Sequence, residues 1–361
     1  MKQKVLIIQQ VIPAYRVPIF NLLAEQLDLT VAYESGSVPV NAAFSVMRVK
    51  AFRIPRVGKV YRGGLRRLTA GYDVVINSYD TPAYAIRVLG RLKRRNFGLV
   101  HWGIGVSASY SSPFDAPDTD RSFYERILSE SDACLFYSDY PVEKYTAAGW
   151  PGEKLFVAPN TVPVKRDETP REKDSLLFLG SLYPQKGFDE LLVQFELALK
   201  ENPNVPKLIL IGDGSERARL EAWVRDRDLN QKIVFTGAIF DDVVLGRYFA
   251  SAIACVSPNQ AGLTVLKSMG CGVPYITRRG AITGGELFNI EHGVNGVLYG
   301  RPEELKDIIL DLTEHPETYM LYGSRARAYY EANRRPEQMA RGFFQATEYA
   351  RKQLEKRRGE S

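Results

Sequence analysis

Three loops in the second half of the chain place glycine and polar residues directly after a predicted strand. Backbone N–H groups at a helix start and a lysine ammonium are groups that bind phosphate in proteins. Because parallel strands end at one edge of a sheet, these loops are expected to converge into a diphosphate site. The alternative for any single loop is ordinary strand–helix packing. The loops carry Gly180, Ser181, Lys186 and Gly187; Gly212 and Gly214; and a small-residue turn from Asn259 to Gly262.

Residues 255–277 predict a strand, a turn, a helix and a second strand in succession. The apolar run from Ala252 to Val256 is too short for a helix, and Pro258 ends it. Leu263, Val265, Leu266 and Met269 follow with near-helical spacing, before Gly272 and Pro274 end the helix. This pattern predicts unpaired N–H groups and a helix dipole where a phosphate binds.

Strands and helices alternate through both halves of the chain, which predicts two doubly wound α/β domains. A length of 361 residues is long for one hydrophobic core. Residues 166–174 predict a linker, because they hold no large apolar residue and include Pro170. The predicted domains are residues 1–165 and 175–335, with a C-terminal helix and charged tail at 336–361.

Several motifs occur together in a fixed order and resemble those of a known family. They are Gly180-x-Leu182 with Lys186-Gly187, IGDG, VFTG, the run from Gly262 to Pro274, Glu286, and Asn295-Gly296. The chain resembles a retaining nucleotide-sugar glycosyltransferase of family 4 with the GT-B fold. The resemblance implies two Rossmann-like domains facing across a cleft, an acceptor site on the first and a donor site on the second.

The resemblance also implies residue roles in the donor site. The family lysine that contacts the diphosphate falls on Lys186, and the phosphate-binding amides fall on Gly262, Leu263 and Thr264. The base of the nucleotide is expected beside Ala238 and Ile239. No cofactor or metal is implied beyond the nucleotide sugar itself.

Three positions depart from the family pattern. Ser181 stands where the family usually has arginine, and Asn259 and Lys267 stand where it usually has two glutamates. A lysine cannot accept the hydroxyl hydrogen bonds that a carboxylate accepts from ribose. These departures indicate either a variant enzyme or a decayed site.

Four cations are candidates to replace the missing arginine at the diphosphate. Arg278 and Arg279 end a predicted strand, and Arg16 follows the first strand of the chain. Lys267 is the fourth candidate, if its ammonium points toward the phosphates. The hypothesis is that one or more of them stabilises the leaving group.

Two further polar residues follow strands in the first half. His101 is predicted to contact the transferred sugar or the acceptor, with a buried structural histidine as the alternative. Asp80 is predicted to bind acceptor hydroxyls. Asp118 and Asp120 have the spacing of a metal motif from another transferase fold, but capping of the next helix by Asp120 explains them better. No metal requirement is therefore expected.

The positive charge is concentrated between Lys50 and Arg95, with 12 Lys or Arg against 2 acids. Apolar residues such as Phe52, Ile54 and Val57 lie among these cations, which favours an anionic membrane surface over a merely solvated face. No nucleic-acid-binding module is recognisable. The first residues run directly into a strand, and no run spans a bilayer, so a cytoplasmic protein at the inner membrane face is expected.

The predicted function is transfer of a sugar, with retention, from a nucleotide-diphosphate sugar to a glycan or lipid-linked saccharide, as in bacterial surface polysaccharide assembly. The alternative is a non-catalytic GT-B subunit that binds a partner transferase or a glycan. Ser181, Asn259 and Lys267 favour this alternative.

Overall fold

The computed structural model describes residues 2–38, 40–92, 95–109, 113–116, 121–169 and 171–359. The chain forms two compact units. The first comprises Met1–Ser107, Asp115–Thr161 and Arg335–Ser361, and the second Ala108–Phe114 and Val162–Arg334. Within the described ranges, no helix combines the length and the apolarity needed to cross a membrane.

The first unit contains a seven-stranded parallel sheet in the order β3-β2-β1-β6-β7-β8-β9. The order reverses between β1 and β6, and buried apolar side chains dominate the central strands. The antiparallel pair β4–β5 lies outside this sheet. The strands are β1 (Lys4–Gln9), β2 (Asp28–Tyr33), β3 (Ser45–Arg48), β4 (Ala51–Ile54), β5 (Gly58–Tyr61), β6 (Val74–Ser78), β7 (Gly98–Gly103), β8 (Ala133–Phe136) and β9 (Leu155–Val157).

Helices cover both faces of this sheet, and one comes from the far end of the chain. They are α1 (Val17–Gln26), α2 (Leu65–Leu68), α3 (Ala83–Leu89), α4 (Arg121–Glu130), α5 (Tyr140–Ala147) and α12 (Pro336–Arg358). The α12 helix buries Phe343 beside Trp102, with ring centroids 4.8 Å apart.

The second unit contains a six-stranded parallel sheet in the order β12-β11-β10-β13-β15-β17. Its order reverses between β10 and β13. The short pair β14–β16 lies beside it. The strands are β10 (Ser175–Leu179), β11 (Lys207–Ile211), β12 (Ile233–Gly237), β13 (Ala252–Val256), β14 (Gln260–Ala261), β15 (Tyr275–Arg278), β16 (Ile282–Thr283) and β17 (Gly296–Tyr299).

Two apolar clusters lie on opposite faces of this second sheet. One cluster includes Phe188, Leu220 and Leu305, and the other includes Leu245, Val265 and Ala326. The contributing helices are α6 (Phe188–Glu201), α7 (Arg217–Arg225), α8 (Asp242–Ser251), α9 (Leu263–Gly270), α10 (Glu304–Glu314) and α11 (Pro316–Asn333).

The predicted doubly wound α/β architecture is confirmed, including β13 at Ala252–Val256 and a helix from Leu263. Two expectations were incomplete. The β4–β5 hairpin was not predicted, and the C-terminal helix extends through the charged tail to Arg358. Its inward face explains this, because Ala350 and Leu354 are buried. The three cysteines, Cys134, Cys255 and Cys271, are free and buried.

Candidate functional site

The glycine-containing loops of the second unit meet at the carboxyl end of its sheet. The Gly180 amide donates to Ile211 O at 3.0 Å, and the Gly212 amide donates to Gly237 O at 2.9 Å. The loops after β10 and β13 also meet, because the Asn259 amide donates to Lys186 O at 3.4 Å. This is where the strand order reverses, the usual ligand position in an open α/β sheet. The predicted convergence is therefore correct.

Lys186 places its ammonium beside the backbone at the end of β10. Its Nζ is 3.3 Å from the position that a Cβ would occupy at Gly180. Burial lowers the pKa of Lys186 to about 8, since charge is disfavoured away from water. No carboxylate pairs with it within the described part of the chain.

The N-terminus of α9 follows the loop after β13. A Cβ on Gly262 would meet nothing within 4 Å, so open space lies in front of this turn. Among the described residues, no side chain caps α9. The Thr264 hydroxyl donates to Leu179 O at 3.2 Å, which ties the turn to β10. The geometry suits an anion at the Gly262, Leu263 and Thr264 amides.

Asn259 lies against the turn that carries Lys186. Its amide group is 2.8 Å from the position of a Cβ at Gly187, and Gly187 has a φ of 77°. The positive φ favours glycine at this position. Ser181, at the position of the family arginine, is exposed.

Lys267 does not supply a cation to a phosphate, contrary to the sequence hypothesis. It is 8% exposed, and its Nζ lies 2.5 Å from Asp242 Oδ1 and 3.4 Å from Pro163 O. This partner on α8 was not predicted. A lysine on a largely buried helix needs a counter-charge, and the sequence indicates that much. Which residue supplies the counter-charge depends on how α8 and α9 pack.

Arg278 is paired with a carboxylate, which does not favour its predicted role at the diphosphate. Its Nη2 lies 2.6 Å from Glu190 Oε2, and its Nε donates to Glu190 Oε1 at 3.1 Å. The Tyr299 hydroxyl donates to the same carboxylate at 2.7 Å. Arg279 is exposed and remains a candidate.

The loop after β12 presents Ala238 to solvent and half buries Ile239. Phe240 follows with 92% of its surface exposed. Asp241 then caps α8 by accepting from the Val243 and Val244 amides. The contact of Ala238 and Ile239 with the nucleotide base remains a prediction. The exposure of the Phe240 ring could not be inferred from the strand pattern of the sequence.

Arg16 is buried in the first unit, which contradicts its predicted contact with the diphosphate. It is 3% exposed and donates to Met339 Sδ and Asn160 Oδ1, both at 2.7 Å. Its guanidinium also lies 5.2 Å from the ring centroid of Trp102. The guanidinium of Arg16 is therefore bound by residues of the first unit.

His101 is a buried structural residue, so its predicted contact with a sugar or acceptor is not supported. It is 1% exposed, and its Nδ1 lies 3.4 Å from Asn77 Nδ2. Burial lowers the pKa of His101 to about 4, which leaves the ring neutral near pH 7.

Asp80 is exposed at the end of β6, where the strand order of the first sheet reverses. Its Oδ1 accepts a hydrogen bond from the Gln10 amide at 3.3 Å. The position suits a ligand-binding carboxylate, and its acceptor role remains a prediction.

The basic region between Lys50 and Arg95 has a buried part and an exposed part. Val60, Tyr61 and Leu65 are buried, whereas Phe52 and Val57 are 50% and 54% exposed. The distal cations are paired, with Arg91 at 2.6 Å from Glu130 and Arg95 at 2.9 Å from Asp132. Residues 35–72, here called the basic segment, contain eight exposed Lys or Arg and no acid.

Metal binding is not tested by the structure. Within the described residues, no group of three His, Cys, Asp or Glu side chains has the arrangement of a metal site. Asp118 and Asp120 lie outside the described residues. Metal independence therefore remains a prediction.

Residues 173–315 match the family described as glycosyl transferases group 1. The chain is 28% identical over 173 residues to an uncharacterized glycosyltransferase of Haemophilus influenzae, covering 47% of this chain and 48% of that protein. It is also 28% identical over 174 residues to alpha-monoglucosyldiacylglycerol synthase of Streptococcus pneumoniae, covering 43% and 38%. The chain thus spans about half the length, or less, of these relatives.

Solved structures of other proteins have a similar fold. The structure of Anabaena Alr3699/HepE in complex with UDP has a TM-score of 0.71 and 17% identity, and covers 95% of this chain and 98% of that one. At this identity the likeness concerns the fold. Residues 173–315 are therefore similar to a glycosyl transferases group 1 domain, within a two-domain α/β chain of GT-B-like fold.

Proposed function

We propose that the protein is a retaining glycosyltransferase that binds a nucleotide-diphosphate sugar on its second unit. Lys186 and the amides at 262–264 stabilise the departing diphosphate. The bond from the anomeric carbon to the phosphate oxygen breaks, an acceptor hydroxyl oxygen forms the new bond on the same face, and the hydroxyl proton passes to the departing phosphate oxygen. No metal is required in this proposal, because a fixed cation and oriented amides oppose the developing charge.

Lys186 is the observation that carries the proposal. Its ammonium lies beside Gly180 at the sheet reversal and is partly desolvated. Lys267 and Arg278, in contrast, are neutralised by Asp242 and Glu190. An incoming diphosphate would therefore supply the counter-charge that Lys186 lacks among the described residues.

The acceptor is a glycan or a lipid-linked saccharide, bound by the first unit with Asp80 as one contact. The relative named alpha-monoglucosyldiacylglycerol synthase supports a membrane-borne acceptor. The basic segment supports attachment to an anionic membrane, because its exposed cations lie among exposed apolar side chains. The protein would act at the inner, cytoplasmic face.

Calorimetric titration of UDP, GDP and dTDP into wild type and Lys186→Ala tests the donor site. We expect one nucleotide to bind, and the variant to lose about tenfold to over a hundredfold in affinity, from a lost contact of about 1.5–3 kcal/mol. The control is Lys200→Ala, which removes an exposed lysine from α6. Absence of binding to all three nucleotides would reject this proposal in favour of the non-catalytic subunit.

A further inference from the structure

The buried ion pair between Lys267 and Asp242 has no role in the donor site as described so far. The Lys267 side chain is 10% exposed, whereas the Asp242 side chain is 41% exposed. Burying a lysine is costly even when it is paired, and well-packed apolar residues often replace such pairs without loss of stability. The pair therefore points to a function for the exposed partner, Asp242.

Asp242 is not needed to cap its helix. Asp241 already accepts hydrogen bonds from the first amides of α8. Of the two Asp242 oxygens, only Oδ1 has a partner among the described residues. The hydrogen bond from Lys267 Nζ to Oδ1 holds the orientation of the carboxylate. An oriented acceptor oxygen is thus left facing a partly exposed surface.

The position of this carboxylate relates it to two features of the donor site. Lys267 lies one turn after Leu263, and helical side chains lean toward the N-terminus. Asp242 begins α8, directly after the loop that follows β12, so the ion pair joins α9 to the carboxyl end of the sheet. Phe240, 92% exposed, precedes Asp242 by two residues. The carboxylate is thus linked through Lys267 to the helix that begins at the candidate anion-binding turn, and it lies two residues from an exposed aromatic side chain.

A nucleoside diphosphate has the matching order of groups, with a ribose between its phosphates and its aromatic base. A carboxylate accepts two hydroxyl hydrogen bonds, so it suits the ribose diol. We propose that Asp242, positioned by Lys267, accepts hydrogen bonds from the ribose hydroxyls of the donor nucleotide, and that Phe240 contacts its base. This inference rests on the proposed function and identifies its nucleoside contacts.

The test compares nucleotides with and without the ribose hydroxyls. UDP, GDP and their 2′,3′-dideoxy forms are titrated into wild type, Asp242→Asn, Lys267→Met and Asp226→Asn. Wild type is expected to bind one ribonucleotide about tenfold or more tightly than its dideoxy form. Asp242→Asn should lose most of this preference through weaker ribonucleotide binding, with dideoxy binding unchanged.

The variant Lys267→Met tests whether Lys267 orients the Asp242 carboxylate or only stabilises the fold. It should also reduce the preference, because the carboxylate loses its orientation, while thermal unfolding confirms that the variant is folded. Asp226→Asn, which changes an exposed carboxylate in the same unit, should behave as wild type. Equal weakening of both nucleotide forms by Asp242→Asn, or no wild-type preference, would overturn this inference alone. Absence of all nucleotide binding to wild type would overturn it together with the proposed function.

Discussion

Lys186 differs from the neighbouring cations in its surroundings rather than in its chemistry. Burial lowers its pKa to about 8, and no carboxylate within the described residues compensates. Lys267 and Arg278 have partners at 2.5 and 2.6 Å. Because a paired cation must give up its partner before it binds an anion, Lys186 is the better candidate for a phosphate ligand.

The affinity for a nucleoside diphosphate should depend on the protonation of Lys186. A bound diphosphate favours the charged ammonium, so its pKa rises in the complex and binding takes up a proton above pH 8. We expect affinity to fall by up to about tenfold per pH unit as the pH rises above about 8.

Calorimetry from pH 7 to 9.5 measures this change. Lys186→Met should bind more weakly with little pH dependence over that range. A wild-type profile as flat as that of the variant would remove Lys186 from the diphosphate site.

At the scale of elements, the proposed donor site depends on the close approach of the loops after β10 and β11. A Cβ on Gly212 would lie 1.8 Å from Gly180 O, and the φ of Gly212 is 155°. The Leu182 amide donates to Asp213 O at 2.9 Å, which continues the contact between these loops. Glycine at 212 therefore allows the loop of Lys186 to adopt its position.

Gly212→Ala should lower the free energy of unfolding by about 1–3 kcal/mol or more, because it adds backbone strain and a steric clash. It should also weaken nucleotide binding by displacing the Gly180 loop. The matched control is Gly280→Ala, where a Cβ meets nothing within 4 Å. Chemical denaturation and titration of both variants check this, and equal behaviour of the two would contradict the proposed role of the loop contact.

Across the whole molecule, charge and exposed apolar surface coincide in one segment. The net charge of the chain is +6, and the basic segment alone carries +8, which leaves about −2 elsewhere. Its exposed apolar residues are Val38, Val40, Val46, Met47, Phe52, Ile54 and Val57. Such a surface combines electrostatic attraction to anionic lipid with apolar contact.

The protein should bind anionic vesicles at low salt and lose much of this binding at about 0.5 M salt, because ions screen the attraction. The double variant Phe52→Ser/Val57→Ser should bind about tenfold or more weakly. The matched control is Val193→Ser/Leu197→Ser, which removes comparably exposed apolar side chains from α6. Vesicle co-sedimentation measures both, and equal binding to neutral vesicles at low salt would refute membrane attachment through charge.

The sequence alone determined the alternation of strands and helices, the limits of β13, and the convergence of the glycine loops. These follow from short-range apolar patterns and from the geometry of parallel sheets. Only the tertiary structure decided which charged side chains are free to contact a ligand. Arg16, His101, Lys267 and Arg278 all follow strands or lie on a helix near the expected site, yet each is buried or paired. Their partners come from elements distant in sequence, such as α6, α8 and α12, so local patterns could not reveal them.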